Sequence, residues 1–202
     1  MKKYFIAIAL MGIIYTAKSQ NAKPLESFEK TIENNSLVLD QPVGFVKTEP
    51  IKNAGMMYEY AVIDTAKHIE IRYAVRSLIE RVKEYKKWQE TKKEGEIRIN
   101  PNTTASASFM AISMNIANDF SKPPAVQQFP LESVKKDFNA DGGFFTVITP
   151  TKNFGKNYKF CMMVAIHKED IADAYIFILS DDMENIKKHV TPVIFNALRF
   201  KK

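Results

Sequence analysis

The sequence predicts an α+β fold in which an antiparallel β-sheet is covered by helices on both faces, an α/β/α sandwich. Three observations carry this expectation. The segments Met57 to Ile63 and His68 to Arg76 alternate apolar and polar residues, and the two alternations agree in parity under one hairpin register. The later segments Tyr158 to His167 and Asp173 to Ser180 are apolar on both faces, as strands buried from both sides are. Amphipathic helical segments stand between and after these strands, and sheets with such neighbours bury their faces under helices.

The first nineteen residues read as a secretory signal. Lys2 and Lys3 form a basic start, Tyr4 to Tyr15 an apolar stretch, and Thr16-Ala17-Lys18-Ser19 places small residues at the −3 and −1 positions, so cleavage is expected before Gln20. The apolar stretch is shorter than the roughly twenty residues a bilayer core requires, so no membrane span is expected in the mature form. The only cysteine is Cys161, far from the position a lipid anchor needs. These features imply an extracytoplasmic protein, periplasmic or secreted.

Residues 20–35 form a polar lead-in, and residues 36–202 read as one domain with no Pro/Gly/Ser-rich linker inside it. The formal charge of +6 falls to +3 on loss of residues 1–19, which removes Lys2, Lys3 and Lys18 and no acid. That balance, well mixed along the chain, excludes a nucleic-acid binder built on charge. A single cysteine cannot close an intrachain disulfide, so stability must come from packing.

Ser36 to Leu39 is a short apolar run ending at the Asp40-Gln41-Pro42-Val43-Gly44 turn, and is expected as the first strand. The hairpin follows, with Asp64-Thr65-Ala66-Lys67 as its loop. Pairing Ile63 with His68 places Tyr58 opposite Tyr73, Tyr60 opposite Ile71 and Val62 opposite Ile69 on a core face that Val75 continues. The other face receives Glu59 opposite Arg72 and Ala61 opposite Glu70, with Arg76 beyond.

Ser77 with Glu80 three residues later is a capping-box signature. It is followed by Leu78, Val82, Tyr85 and Trp88 at helical spacing, with Gly95 as a stop. A second helix is expected from Asn100 as N-cap and Pro101, carrying Ala105, Phe109, Ile112 and Ile116 on one stripe. Ser121 to Phe129 reads as an irregular connection, Leu131 to Phe138 as a short helix, and Gly142-Gly143 as the opening of three strands: Phe144 to Thr149, Tyr158 to His167 and Asp173 to Ser180. The chain is expected to close with a helix from Asp182 to about Leu198, interrupted or restarted at Thr191-Pro192.

The Pro42-Val43-Gly44-Phe45 turn after a short first strand, the hairpin, and a strand-strand-helix close into Ala197-Leu198-Arg199-Phe200 resemble the PsbP-like sandwich, over about Ser36 to Phe200. The resemblance implies the same α/β/α fold and a binding or assembly-accessory role, since members are mostly not catalysts. It assigns no functional residue here.

Charges gather on a sheet at one place, the polar face of the first hairpin: Glu59, Glu70, Arg72 and Arg76. Arg72 and Arg76, with Ala74 between them on the same face, could hold a carboxylate or phosphate oriented by the glutamates. The plainer expectation is a solvated cross-strand ion pair. The same four residues are the only candidates for a small hydrolytic or transfer site.

Asp137-Phe138-Asn139-Ala140-Asp141-Gly142 matches the first half of a calcium loop, but position twelve is Ile148 where a bidentate Glu is needed. The three polar residues Asp137, Asn139 and Asp141 are more simply a helix-to-strand turn. Cys161 and His167 lie about 20 Å apart along one strand, too far for a nucleophile–base pair. No histidine pair has metal-binding spacing, and no cofactor fingerprint is present, so no cofactor is expected. The charged run from Arg76 to Glu94 reads as a solvated helix face. Partners are therefore expected to be an envelope protein or a small anionic ligand, or the role to be a structural one in the envelope.

Overall fold

A computed structural model describes residues 27–52, 55–118, 121–190 and 192–202. The signal segment, its cleavage point and residues 20–26 of the lead-in lie outside the described residues.

The centre is a seven-stranded antiparallel sheet. Its strands are β2 (Val46–Thr48), β3 (Tyr60–Asp64), β4 (Ile69–Ser77), β5 (Gln127–Gln128), β6 (Gly142–Ile148), β7 (Phe160–Lys168) and β8 (Ala172–Ser180), in the spatial order β2-β3-β4-β8-β7-β6-β5. The α+β class and the antiparallel sheet stand as expected. The two strands apolar on both faces, β7 and β8, are central, with β4 on the other side of β8. Every residue of β8 is buried.

Alternation along these strands sorts side chains into two cores, one on each face. The first gathers Ile71, Tyr73, Val164, Ile166, Ile176 and Ile178 under α1 (Phe28–Asn34), α4 (Leu131–Phe138) and α7 (Pro192–Phe195). A two-stranded ribbon joins the same layer: β1 (Leu37–Leu39) pairs with β9 (Leu198–Phe200). The second core gathers Ala74, Cys161, Met163, Tyr175 and Phe177 under α3 (Ala105–Ala117) and the short α5 (Lys152–Gly155). Helices thus cover both faces.

Several expectations are corrected. The lead-in contains α1, with Ser27 accepting from the Lys30 N–H at 3.3 Å. The signal was there: Phe28 and Ile32, four apart behind a serine, both face the core. The hairpin loop is Thr65 to His68, so Asp64 pairs with Ile69, Val62 with Ile71 and Tyr60 with Tyr73. The partners therefore differ by two residues from the expected register, because Asp64 stays in the strand with its carboxylate accepting from the Lys67 N–H and ammonium. His68 closes the turn at φ +52°. A shift of two keeps the residues of β3 and β4 on their faces but puts Ala61, not Glu59, opposite Arg72.

Ser77 forms no capping box. It ends β4 opposite Ala172, and Leu78 caps α2 (Ile79–Thr91) without a side-chain hydrogen bond. Pro101 opens a single 3₁₀ turn, capped by Asn100, before α3 begins. The closing helix is α6 (Met183–His189) followed by α7, and Leu198 lies in β9, not on a helix face. Pro192 lacks the N–H a continuous helix would need there. The strand pairing with Leu37–Leu39 supplies partners for the last backbone groups instead.

Candidate functional site

The four charged residues of the first hairpin do share the face of the second core, but they form two separate pairs, and around Arg72 and Glu70 the face is not solvated. On β8 and β7 the same face carries Phe177, Leu179, Cys161 and Met163, so it has to be covered, and the cover extends over β4. Arg72 and Glu70 are 0% and 1% exposed. The expectation of a solvated cross-strand ion pair is therefore overturned for these two residues.

Arg72 donates from Nε to Glu70 Oε1 at 2.7 Å and from Nη1 to the Phe154 carbonyl. Its guanidinium packs on the rings of Tyr58 and Phe154, at 4.8 and 4.9 Å from their centroids, and the two rings meet edge to face beside it. Nη2 has no hydrogen-bond partner among the described residues. The second oxygen of Glu70 accepts from Lys156 Nζ at 3.1 Å, and Lys156 is the one member of the group that reaches solvent. Gly155 is required beside it: a Cβ there would meet Pro150 Cγ at 2.6 Å, so only glycine lets the Phe154–Lys156 turn close over Arg72.

Arg76 pairs with Glu59 at 2.6 Å, and both are partly exposed. The other Glu59 oxygen accepts from the Val75 N–H at 3.2 Å, while Arg76 Nη2 donates to the Met57 carbonyl. The chain bends at Glu59, which turns Tyr58 to the second core although Tyr60 faces the first. Tyr58 and Tyr60 were expected on one face, and this bend is the reason they are not.

Both arginines therefore act on the same short segment. Arg72 stacks on Tyr58, whose hydroxyl accepts from the Ile51 N–H at 3.0 Å, and Arg76 holds Met57 and Glu59. That segment is one wall of a cleft of about 390 Å³, lined chiefly by Phe28, Pro50, Ile51, Met57, Tyr58 and Tyr60. Phe28 stacks on Tyr60 at 5.0 Å to form its floor, and the Tyr60 hydroxyl donates to Gln41. Burial and the nearby Glu29 carboxylate push the Tyr60 pKa up, so the phenol stays neutral. Lys47, Lys52, Glu29 and Glu59 stand around the opening, with Lys47 Nζ 5.4 Å from the Tyr60 ring. Sequence reasoning found Glu59 and missed the cleft, because Phe28 comes from the segment read as a polar lead-in and Ile51 from one to which no element was assigned.

The remaining candidates are structural. Asn139 is the left-handed C-cap of α4, its carbonyl accepts from Lys168 Nζ at 2.7 Å, and Asp141 accepts from the Glu169 N–H. A lysine ammonium thus stands among the would-be calcium ligands. Among the described residues no group of three His, Cys, Asp or Glu could hold a metal ion. Cys161 is buried, and that burial pushes its thiol up to about 12, far from a nucleophile's range. His167 Nδ1 lies 2.7 Å from Asp173 Oδ1, both buried, on a cross-strand row that also places Arg76 opposite Asp173. No described helix is long and apolar enough to cross a membrane.

No family model matches the chain, and no curated protein matches it closely.

Proposed function

We propose that the chain is an exported, non-catalytic binding module whose cleft beside β2 takes a small apolar ligand bearing an anionic group. The observation that carries this reading is the cleft itself: an apolar floor of Phe28 and Tyr60, an apolar wall at Met57, and two lysines, Lys47 and Lys52, at its rim. Glu59 is neutralised by Arg76, which leaves Glu29 as the only unpaired acid among the rim residues against two ammonium groups.

The chemistry of the polar cluster supports binding over catalysis. Both oxygens of Glu70 and both of Glu59 already accept hydrogen bonds, and Glu70 and Arg72 are closed to solvent. A general base must come within hydrogen-bond reach of the proton it abstracts, which the buried Glu70 does not, while Glu59 is held against Arg76. The two arginines instead hold the cleft wall in place, the supporting role that pre-organised binding sites require. The likeness of element order to the PsbP-like sandwich, whose members are mostly binding or assembly accessories, favours the same reading.

Thermal unfolding in the presence of decanoate, decanol and acetate tests it. A ligand that binds the native state raises the melting temperature with its concentration. Decanoate should raise it, decanol less and acetate not at all. Lys47→Glu should remove the advantage of decanoate over decanol, and Met57→Asp should remove both shifts. No shift with decanoate at any concentration would rule out this ligand class.

A further inference from the structure

Nine consecutive residues, Thr91 to Ile99, are exposed, and they include two bare isoleucines: Ile97 at 91% and Ile99 at 74%. The segment is nonetheless held in place. Trp88 of α2 donates from Nε1 to Glu96 at 3.1 Å and lies under the Arg98 guanidinium at 5.9 Å, while Tyr85 packs on the Trp88 ring at 5.6 Å. Residues 96 and 98 thus face the helix and residues 97 and 99 face away, the alternation of an extended strand. Among the described residues the backbone N–H groups of Ile97, Arg98 and Ile99 have no partner. A segment of alternating sides with bare isoleucines and unpaired backbone N–H groups, although in no strand of the fold, is a template for another strand.

We infer that Glu96–Asn100 is a self-association edge, pairing antiparallel with the same segment of a second copy, with Ile97 on the two-fold axis. The charges select this occupant and this register. With Ile97 opposite Ile97 of the second copy, Glu96 faces Arg98 and Arg98 faces Glu96, two opposite-charge pairs related by symmetry. Ile99 then reaches the left-handed turn at Gly95 (φ +84°), which ends the ribbon and where no atom lies within 4 Å of the position a Cβ would take. Moving the axis to Arg98 sets arginine against arginine, moving it to Glu96 sets glutamate against glutamate, and parallel pairing does both. Pro101 ends the ribbon because it cannot donate. The four isoleucines gather on one face of the ribbon and shield one another.

So short a ribbon makes a weak, concentration-dependent dimer, to be sought at about 100 µM protein. Sedimentation equilibrium of the purified protein should show it, and Glu96→Arg should abolish it by facing two arginines. The double variant Glu96→Arg/Arg98→Glu should restore it, which a merely unfolded arm could not do. Ile97→Cys should give a covalent dimer on mild oxidation, since Cys161 is buried, and Arg98→Cys should not. A strictly monomeric protein at that concentration overturns the inference. So does Arg98→Cys crosslinking as readily as Ile97→Cys, or a monomer that instead co-sediments with phosphatidylglycerol vesicles through Ile97 and Ile99.

Discussion

Arg72 and Glu70, two residues apart on one face of β4, form a 2.7 Å ion pair from which solvent is excluded on every side. Two charges removed from water are tolerated only when each has further partners, and here the Phe154 carbonyl, two aromatic faces and the Lys156 ammonium provide them. Arg72→Ala strips Glu70 of its main counter-charge in the interior. It should destabilise by about 3–5 kcal/mol, whereas Arg72→Met/Glu70→Leu should cost far less than the sum of the single changes. Urea unfolding of the three variants checks this, and additive losses would contradict the account of a coupled buried pair.

Arg76 and Glu59 make a contact of similar length, but both side chains reach water. Solvent screens such pairs, so Glu59→Gln should cost no more than about 1 kcal/mol. Its effect belongs in the cleft: with the Met57–Glu59 wall loosened, decanoate affinity should fall while global stability holds. Unfolding and ligand titration on the same variant separate the two.

Gly155→Ala should destabilise by about 1–3 kcal/mol, because the new methyl must push against the Pro150 ring. The displaced turn carries the carbonyl that holds Arg72. The loss should therefore be non-additive with Arg72→Met in a double-mutant cycle. Strict additivity would mean that the turn and the guanidinium are independent.

Burial raises the Cys161 thiol from its ordinary 9.0 to about 12, against a smaller opposing pull from Arg72. The native protein keeps the proton that the unfolded chain gives up. The contribution is thus fully present below about pH 9 and is lost as pH rises toward 12, at up to about 1.4 kcal/mol per pH unit. Urea midpoints at about pH 8 and pH 10.5 should fall less for Cys161→Ala than for the natural chain. Equal falls would show that the thiol is not protected.

Much of the sheet was legible because burial from two sides leaves a plain mark: β7 and β8 lie within two residues of their expected spans, and the α4 boundaries match at Leu131 and Phe138. The polar cluster was legible as a set of residues but not as an environment. Local alternation shows which way Glu70 and Arg72 point, yet what covers them comes from Phe154, more than eighty residues away. The hairpin register escaped because a single carboxylate, Asp64, decides where the turn starts. The cleft was hidden for a similar reason, since Phe28 meets Tyr60 only through the tertiary fold.

The β1–β9 ribbon sets a timetable for assembly. Leu37–Leu39 find their partners only in Leu198–Phe200, and the central β4–β8 pairing joins strands about a hundred residues apart in sequence. A nascent chain must therefore carry the outer edge of β4 unpaired until Ser180 has been made, and Leu37 without its strand partner until Phe200 has been made. Maturation of this fold is a late, all-at-once event, and any helper that shields those apolar strands in the interval acts on the unfinished chain.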